Sequence, residues 1–158
     1  MAVKIFLHGL DSGNQGTKGR FFQERYPDVI VPNFNGPLAE RMEKLKGILL
    51  GETGIIIVGS SFGGLMAAIF AIENASQVDR LVLLAPAINL LSSMNYKGKN
   101  TSVPAWVFHG KNDEVIPLNQ VEAMARKLFS QLSFHVVDDD HFLHNTFKSL
   151  DWDKLLNP

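Results

Sequence analysis

Short, mostly apolar runs alternate along this chain with longer stretches in which apolar residues recur three and four positions apart. The runs fall at residues 3–7, 29–31, 55–58, 81–84, 105–108 and 134–137. Runs of three to five residues rich in Val, Ile, Leu and Phe predict strands buried on both faces of a parallel sheet. Between Pro37 and Gly51, Leu38, Met42, Leu45 and Leu49 predict an amphipathic helix. Val121, Met124, Leu128 and Phe129 predict another, and a short helix should carry Phe21 and Phe22. Residues 65–72 are apolar on every side, the pattern of a helix buried inside the protein. Residues 142–156 are expected to form a closing helix, with His144 inside it.

Strands alternating with helices define an α/β protein with a mostly parallel, six-stranded sheet. Right-handed crossovers put helices on both faces, giving a three-layer α/β/α sandwich. In such sheets ligands bind beyond the carboxyl ends of the strands. A length of 158 residues fits one domain over 1–158, with a core that needs no staples.

Composition narrows the partners. A hydrophobic content of 46% with 20% charged residues is that of a globular protein. A net charge of −1 argues against nucleic acid or an anionic membrane as partner. With no cysteine, disulfides, thiolate metal sites and a cysteine nucleophile are excluded. The chain runs from Met1 almost directly into its first strand, so a cytoplasmic protein is expected.

The chemistry centres on Gly59-Ser60-Ser61-Phe62-Gly63, which fits G-x-S-x-G with Ser61 in the middle. It follows an apolar strand and opens a helix, the context in which this pattern forms a nucleophile elbow. The sharp turn strains the central residue, and only glycine leaves room two residues before and after it. Ser61 Oγ should then stand at the carboxyl edge of the sheet. The Phe62 N–H should lie at a helix N-terminus, where partial positive charge favours a developing oxyanion. A serine hydroxyl needs a base, and that base needs an orienting acid. Asp113 follows the fifth strand and His141 the sixth, giving the order Ser61, Asp113, His141.

Together with His8-Gly9 after the first strand and His109-Gly110…Asp113…Pro117, these residues make the whole chain resemble the α/β-hydrolases, specifically their small, lidless, esterase-like members. The resemblance implies Ser61 as nucleophile, Asp113 as acid, His141 as base and an oxyanion hole from the N–H groups of Leu10 and Phe62. It also implies the strand order 2-1-3-4-5-6, as though two strands of the larger members were missing. Lids of the family enter between the strands that here end at Pro86 and start near Ala105. Residues 87–103 leave room for a loop and a helical turn, so an open site preferring short acyl groups is expected.

Other readings fit less well. The glycine-rich loop at residues 13–19 lacks the Gly-Lys pair that closes a phosphate loop, and Lys18 and Arg20 read as a solvated rim. Residues 138–144 hold three aspartates and two histidines, but no second ligand-rich segment completes a metal site. His8, His109 and His135 read as hydrogen-bonded structural residues. The alternative function is a hydrolase fold kept as a non-enzymatic interaction module, which should have lost part of its triad. The reading adopted is a serine hydrolase of small acyl esters or thioesters, using no cofactor.

Overall fold

The computed structural model describes residues 2–96 and 98–158. Its strands are β1 (Lys4–Leu7), β2 (Val29–Ile30), β3 (Ile55–Ser60), β4 (Val78–Leu84), β5 (Ala105–Gly110) and β6 (Leu132–Val137). Its α-helices are α1 (Thr17–Arg25), α2 (Leu38–Ile48), α3 (Phe62–Glu73), α4 (Leu118–Leu128) and α5 (Trp152–Leu156). The sheet order is β2-β1-β3-β4-β5-β6, as expected, and every neighbouring pair is parallel.

Alternation along each strand sends side chains to two separate cores. Ile5, Ile57, Leu83 and Val107 face one core, built with α2, α3 and α4. Phe6, Val58, Leu84 and Phe108 face the other, built with α1 and α5. Helix α3 is buried along nearly its whole length, which is why its sequence carries no polar stripe. On the opposite face an aromatic cluster joins α1 to the end of the chain. Phe22 lies 5.0 Å from both Phe6 and Trp152, and Phe21 lies 4.9 Å from Phe147. Such tilted and edge-to-face contacts suit the ring quadrupoles.

The observed β4 and β6 begin before their apolar runs. Arg80, in the added part of β4, stacks its guanidinium 4.2 Å from the Trp106 ring centroid and donates to Leu155 O at 3.0 Å. Its charge stays near solvent while its stem packs, so a polar residue is tolerated there.

The closing helix expected over 142–156 does not form. The chain instead makes turns, a 3-10 segment at Phe147–Ser149 and the short α5. Leu143 has φ 53°, outside the helical region, and Asp139 takes the backbone N–H groups of Asn145 and Thr146. His144 therefore sits in an exposed turn. Segment 87–103 holds a 3-10 stretch at Ile88–Ser93 and loops; its Lys97 lies outside the described residues. Among the described residues, no helix is long and apolar enough to cross a membrane.

Candidate active site

Ser61 stands between β3 and α3 with φ 55° and ψ −115°. That backbone is sparsely populated for a non-glycine residue, and strain of this kind persists only where the surroundings hold it. Here they do. Ser61 N–H donates to Leu84 O at 2.9 Å, and Ser61 O accepts from Gly64 N and Ala87 N at 2.9 Å each. The flanking glycines are needed for space. A Cβ on Gly59 would come within 2.5 Å of Gly63 O, and one on Gly63 would collide with Leu7 O in the neighbouring strand.

The turns after β5 and β6 bring an aspartate and a histidine into line with this serine. His141, in the turn after β6, brings Nε2 to 3.2 Å from Ser61 Oγ. Its Nδ1 lies 2.7 Å from Asp113 Oδ2 in the turn after β5. The carboxylate can only accept, so Nδ1 carries the proton and Nε2 offers its lone pair to the serine hydroxyl. Asp113 has no exposed side-chain surface. Its other oxygen accepts the N–H groups of Val115 at 2.9 Å and Ile116 at 2.7 Å, which fixes the carboxylate plane.

The Phe62 N–H opens α3 and has no carbonyl of its own helix to pair with. Leu10 follows His8-Gly9 at the end of β1. Its N–H makes no hydrogen bond among the described residues, and its direction is set indirectly. His8 Nε2 accepts from Phe34 N at 2.8 Å, so its Nδ1 carries the hydrogen and donates to Gly9 O at 2.7 Å. The Gly9 carbonyl and the Leu10 N–H belong to one planar trans peptide and point in opposite directions. Holding the first aims the second. Burial pushes the His8 pKa down, against the pull of Gly9 O, and the charges of Arg41 and Lys44 push it further down. The ring that holds this loop is uncharged.

The three aspartates before His141 do not compete for it. Asp138 is exposed and faces Lys111. Asp139 is buried and accepts from the N–H groups of Asp140 at 2.8 Å, Thr146 at 2.8 Å and Asn145 at 3.0 Å. Asp140 accepts from Phe142 N at 3.0 Å, and its other oxygen lies 2.6 Å from His144 Nδ1. These residues shape the turn that presents His141. Consecutive aspartates before a turn are the usual sequence signal of this role.

Lys18, expected on a solvated rim, is half-buried. It lines the cleft and donates to Phe142 O at 2.8 Å, tying α1 to the residue next to His141. Burial lowers its pKa, opposed by the nearby charges of Asp140 and Asp139. Arg20 is exposed.

The cleft over Ser61 has a volume of about 790 Å³. It runs between the loop after β1, the start of α1 and the turn after His141. Leu10, Leu90, Val115 and Phe142 line it and are all exposed, so its rim is apolar, and among the described residues no lid covers it. The walls contributed by α1 and residues 142–148 make it larger than the short 87–103 segment alone implied.

A parallel α/β/α sandwich with a serine at a strained strand–helix elbow, facing a histidine and an aspartate, defines an α/β-hydrolase. The sequence pattern of the dienelactone hydrolase family matches residues 21–138. The chain belongs to that family and is a hydrolase. Solved structures agree in fold. Est1E from Butyrivibrio proteoclasticus, with ferulic acid bound, aligns with TM-score 0.76 and 14% identity, covering 98% of this chain and 86% of its own. A monoacylglycerol lipase from Paleococcus ferrophilus aligns with TM-score 0.74 and 12% identity, covering 96% and 93%. Mouse alpha/beta hydrolase domain-containing protein 10 aligns with TM-score 0.71 and 18% identity, covering 87% and 81%. No curated protein matches the chain in sequence.

Proposed function

We propose that the protein hydrolyses small carboxylic esters or thioesters through Ser61, His141 and Asp113. The observation that carries this reading is the unbroken hydrogen-bond chain from Ser61 Oγ through His141 to Asp113. Ser61 Oγ attacks the carbonyl carbon while His141 Nε2 takes its proton, and Asp113 stabilises the imidazolium. The tetrahedral oxyanion accepts hydrogen bonds from the Leu10 and Phe62 N–H groups. His141 then returns its proton to the departing alkoxide or thiolate, leaving an acyl-serine. Water, deprotonated by His141, attacks that ester; Ser61 leaves with the proton and the acid is released.

The family match supports hydrolysis, and the esterase and lipase relatives in structure support an ester as the bond cleaved. The apolar rim favours substrates with apolar groups flanking that bond. A cleft of about 790 Å³ lies in the range typical of drug-sized ligands.

A fluorophosphonate probe tests the reading without knowledge of substrate, because it labels only an activated serine. Labelling at Ser61, followed by turnover of p-nitrophenyl esters or acyl-CoA thioesters, is expected. A wild-type protein that neither labels nor turns over any of them would remove the proposal.

A further inference from the structure

His109, at the end of β5, is a second histidine on the carboxylate that faces His141. Its side chain is wholly buried. Its Nε2 lies 2.9 Å from Ile116 O and 3.3 Å from Asp113 Oδ2, the same oxygen that His141 Nδ1 meets at 2.7 Å. Both neighbours of Nε2 are acceptors, so Nε2 carries the hydrogen. Nδ1 is then a bare lone pair, and it is buried with no hydrogen-bond partner. Leaving a polar atom unpaired in this way is costly, so the ring is not explained by its own hydrogen bonding.

The loop explains it better. Asp113 accepts from the N–H groups of Val115 and Ile116, and His109 holds the carbonyl of the same Ile116. The turn after β5 is thereby fixed at both ends to the last residues of the strand. Asp113 and His141 are the ionisable groups that act on His109, and burial keeps its pKa below the ordinary value despite Asp113. The ring thus presents a dipole, not a competing cation, to the carboxylate.

We propose that His109 is a positioning residue for the proposed triad, whose Nε2–H, donated to Ile116 O, ties the turn that carries Asp113 to β5 and thereby orients His141. The inference rests on the hydrolase reading of Ser61. Removing the ring's N–H does two things. The carboxylate loses one restraint, so His141 spends less time aligned with Ser61. Asp113 also loses the positive end of an N–H dipole 3.3 Å from Oδ2, so its pull on a protonated His141 strengthens.

The test is the rate of fluorophosphonate labelling at Ser61 as a function of pH, in which Oγ bonds to phosphorus and fluoride leaves. His109→Gln can place an amide N–H near the position of Nε2; His109→Asn is too short. His109→Asn is expected to label about ten- to a hundredfold more slowly, less than loss of the acid itself would cost. The acid limb of its profile should move to higher pH. His109→Gln should recover most of the rate and return the limb towards wild type. Equal rates and unshifted limbs in both variants, with only thermal stability reduced, would overturn the proposal and leave His109 a packing residue. Absence of labelling in the wild type would instead remove the hydrolase reading on which it rests.

Discussion

Asp139 and Thr146 are joined by a 2.8 Å hydrogen bond from the Thr146 N–H to the buried carboxylate, and this contact closes the turn that presents His141. The same carboxylate also takes the N–H groups of Asn145 and Asp140. Asp139→Ala leaves these donors without their acceptor, which should lower stability by about 2–3 kcal/mol. The probe-labelling rate should fall too, because His141, the proposed base, loses its mount. Burial alone would raise the Asp139 pKa, but the hydrogen bonds from Thr146, Asp140 and Asn145 outweigh it and hold it below the ordinary value. Its stabilisation is therefore complete above the unfolded-state value of about 3.9 and is lost as pH falls through the folded-state value. Urea midpoints of both proteins across acid pH check this: the wild-type advantage should shrink at the lowest pH.

Ser61→Ala should abolish fluorophosphonate labelling and leave the fold intact, since only the hydroxyl is removed and the backbone bonds that hold the elbow remain. Ser60 is the rival, being the last residue of β3. Mass spectrometry of the labelled peptide decides between them, and an adduct on Ser60 would move the elbow by one residue.

His141→Ala should lower kcat by at least about a thousandfold, the scale of losing a triad member. His144→Ala should cost less than about tenfold, because its imidazole pairs with Asp140 on the exposed side of the turn. Both variants measured on one activated ester give the comparison. An inactive His144→Ala beside an active His141→Ala would transfer the base.

His8 and His109 are both buried, and burial holds both pKa values below that of a free imidazole. The unfolded chain then takes up protons at these positions before the folded one does. Stability should be complete above about pH 6.5 and decline as pH falls below it towards the folded-state values. Urea midpoints between pH 8 and 5 should show this decline, and His109→Gln should make it shallower. A flat wild-type profile would mean that neither ring is kept neutral by the fold.

With an apolar rim and no lid among the described residues, the protein should hydrolyse longer p-nitrophenyl esters better than acetate while showing no activation at a lipid interface. Each methylene buried in the cleft is worth roughly a fourfold gain in kcat/KM until the cleft is filled. This shifts the short-acyl expectation, because walls from α1 and residues 142–148 enlarge the cleft. A kcat/KM that falls steadily from acetate would restore it.

The sequence by itself determined the layered α/β architecture, because strand and helix periodicity are local and each buried run carries its own signal. The elbow was equally legible: G-x-S-x-G specifies a turn whose sterics involve residues only a few positions apart. Ser61, Asp113 and His141 could be named from their places after strands, but their meeting depends on β3, β5 and β6 lying in one parallel sheet. Tertiary structure alone decided the rest. The closing helix gave way to a turn because Asp139 and a left-handed Leu143 captured the backbone first. Lys18, half-buried, reaches Phe142 O, 124 residues away. His109 and His141 came to share one oxygen of Asp113. Contacts of this kind join side chains to distant loops, and no periodicity within a single segment encodes them.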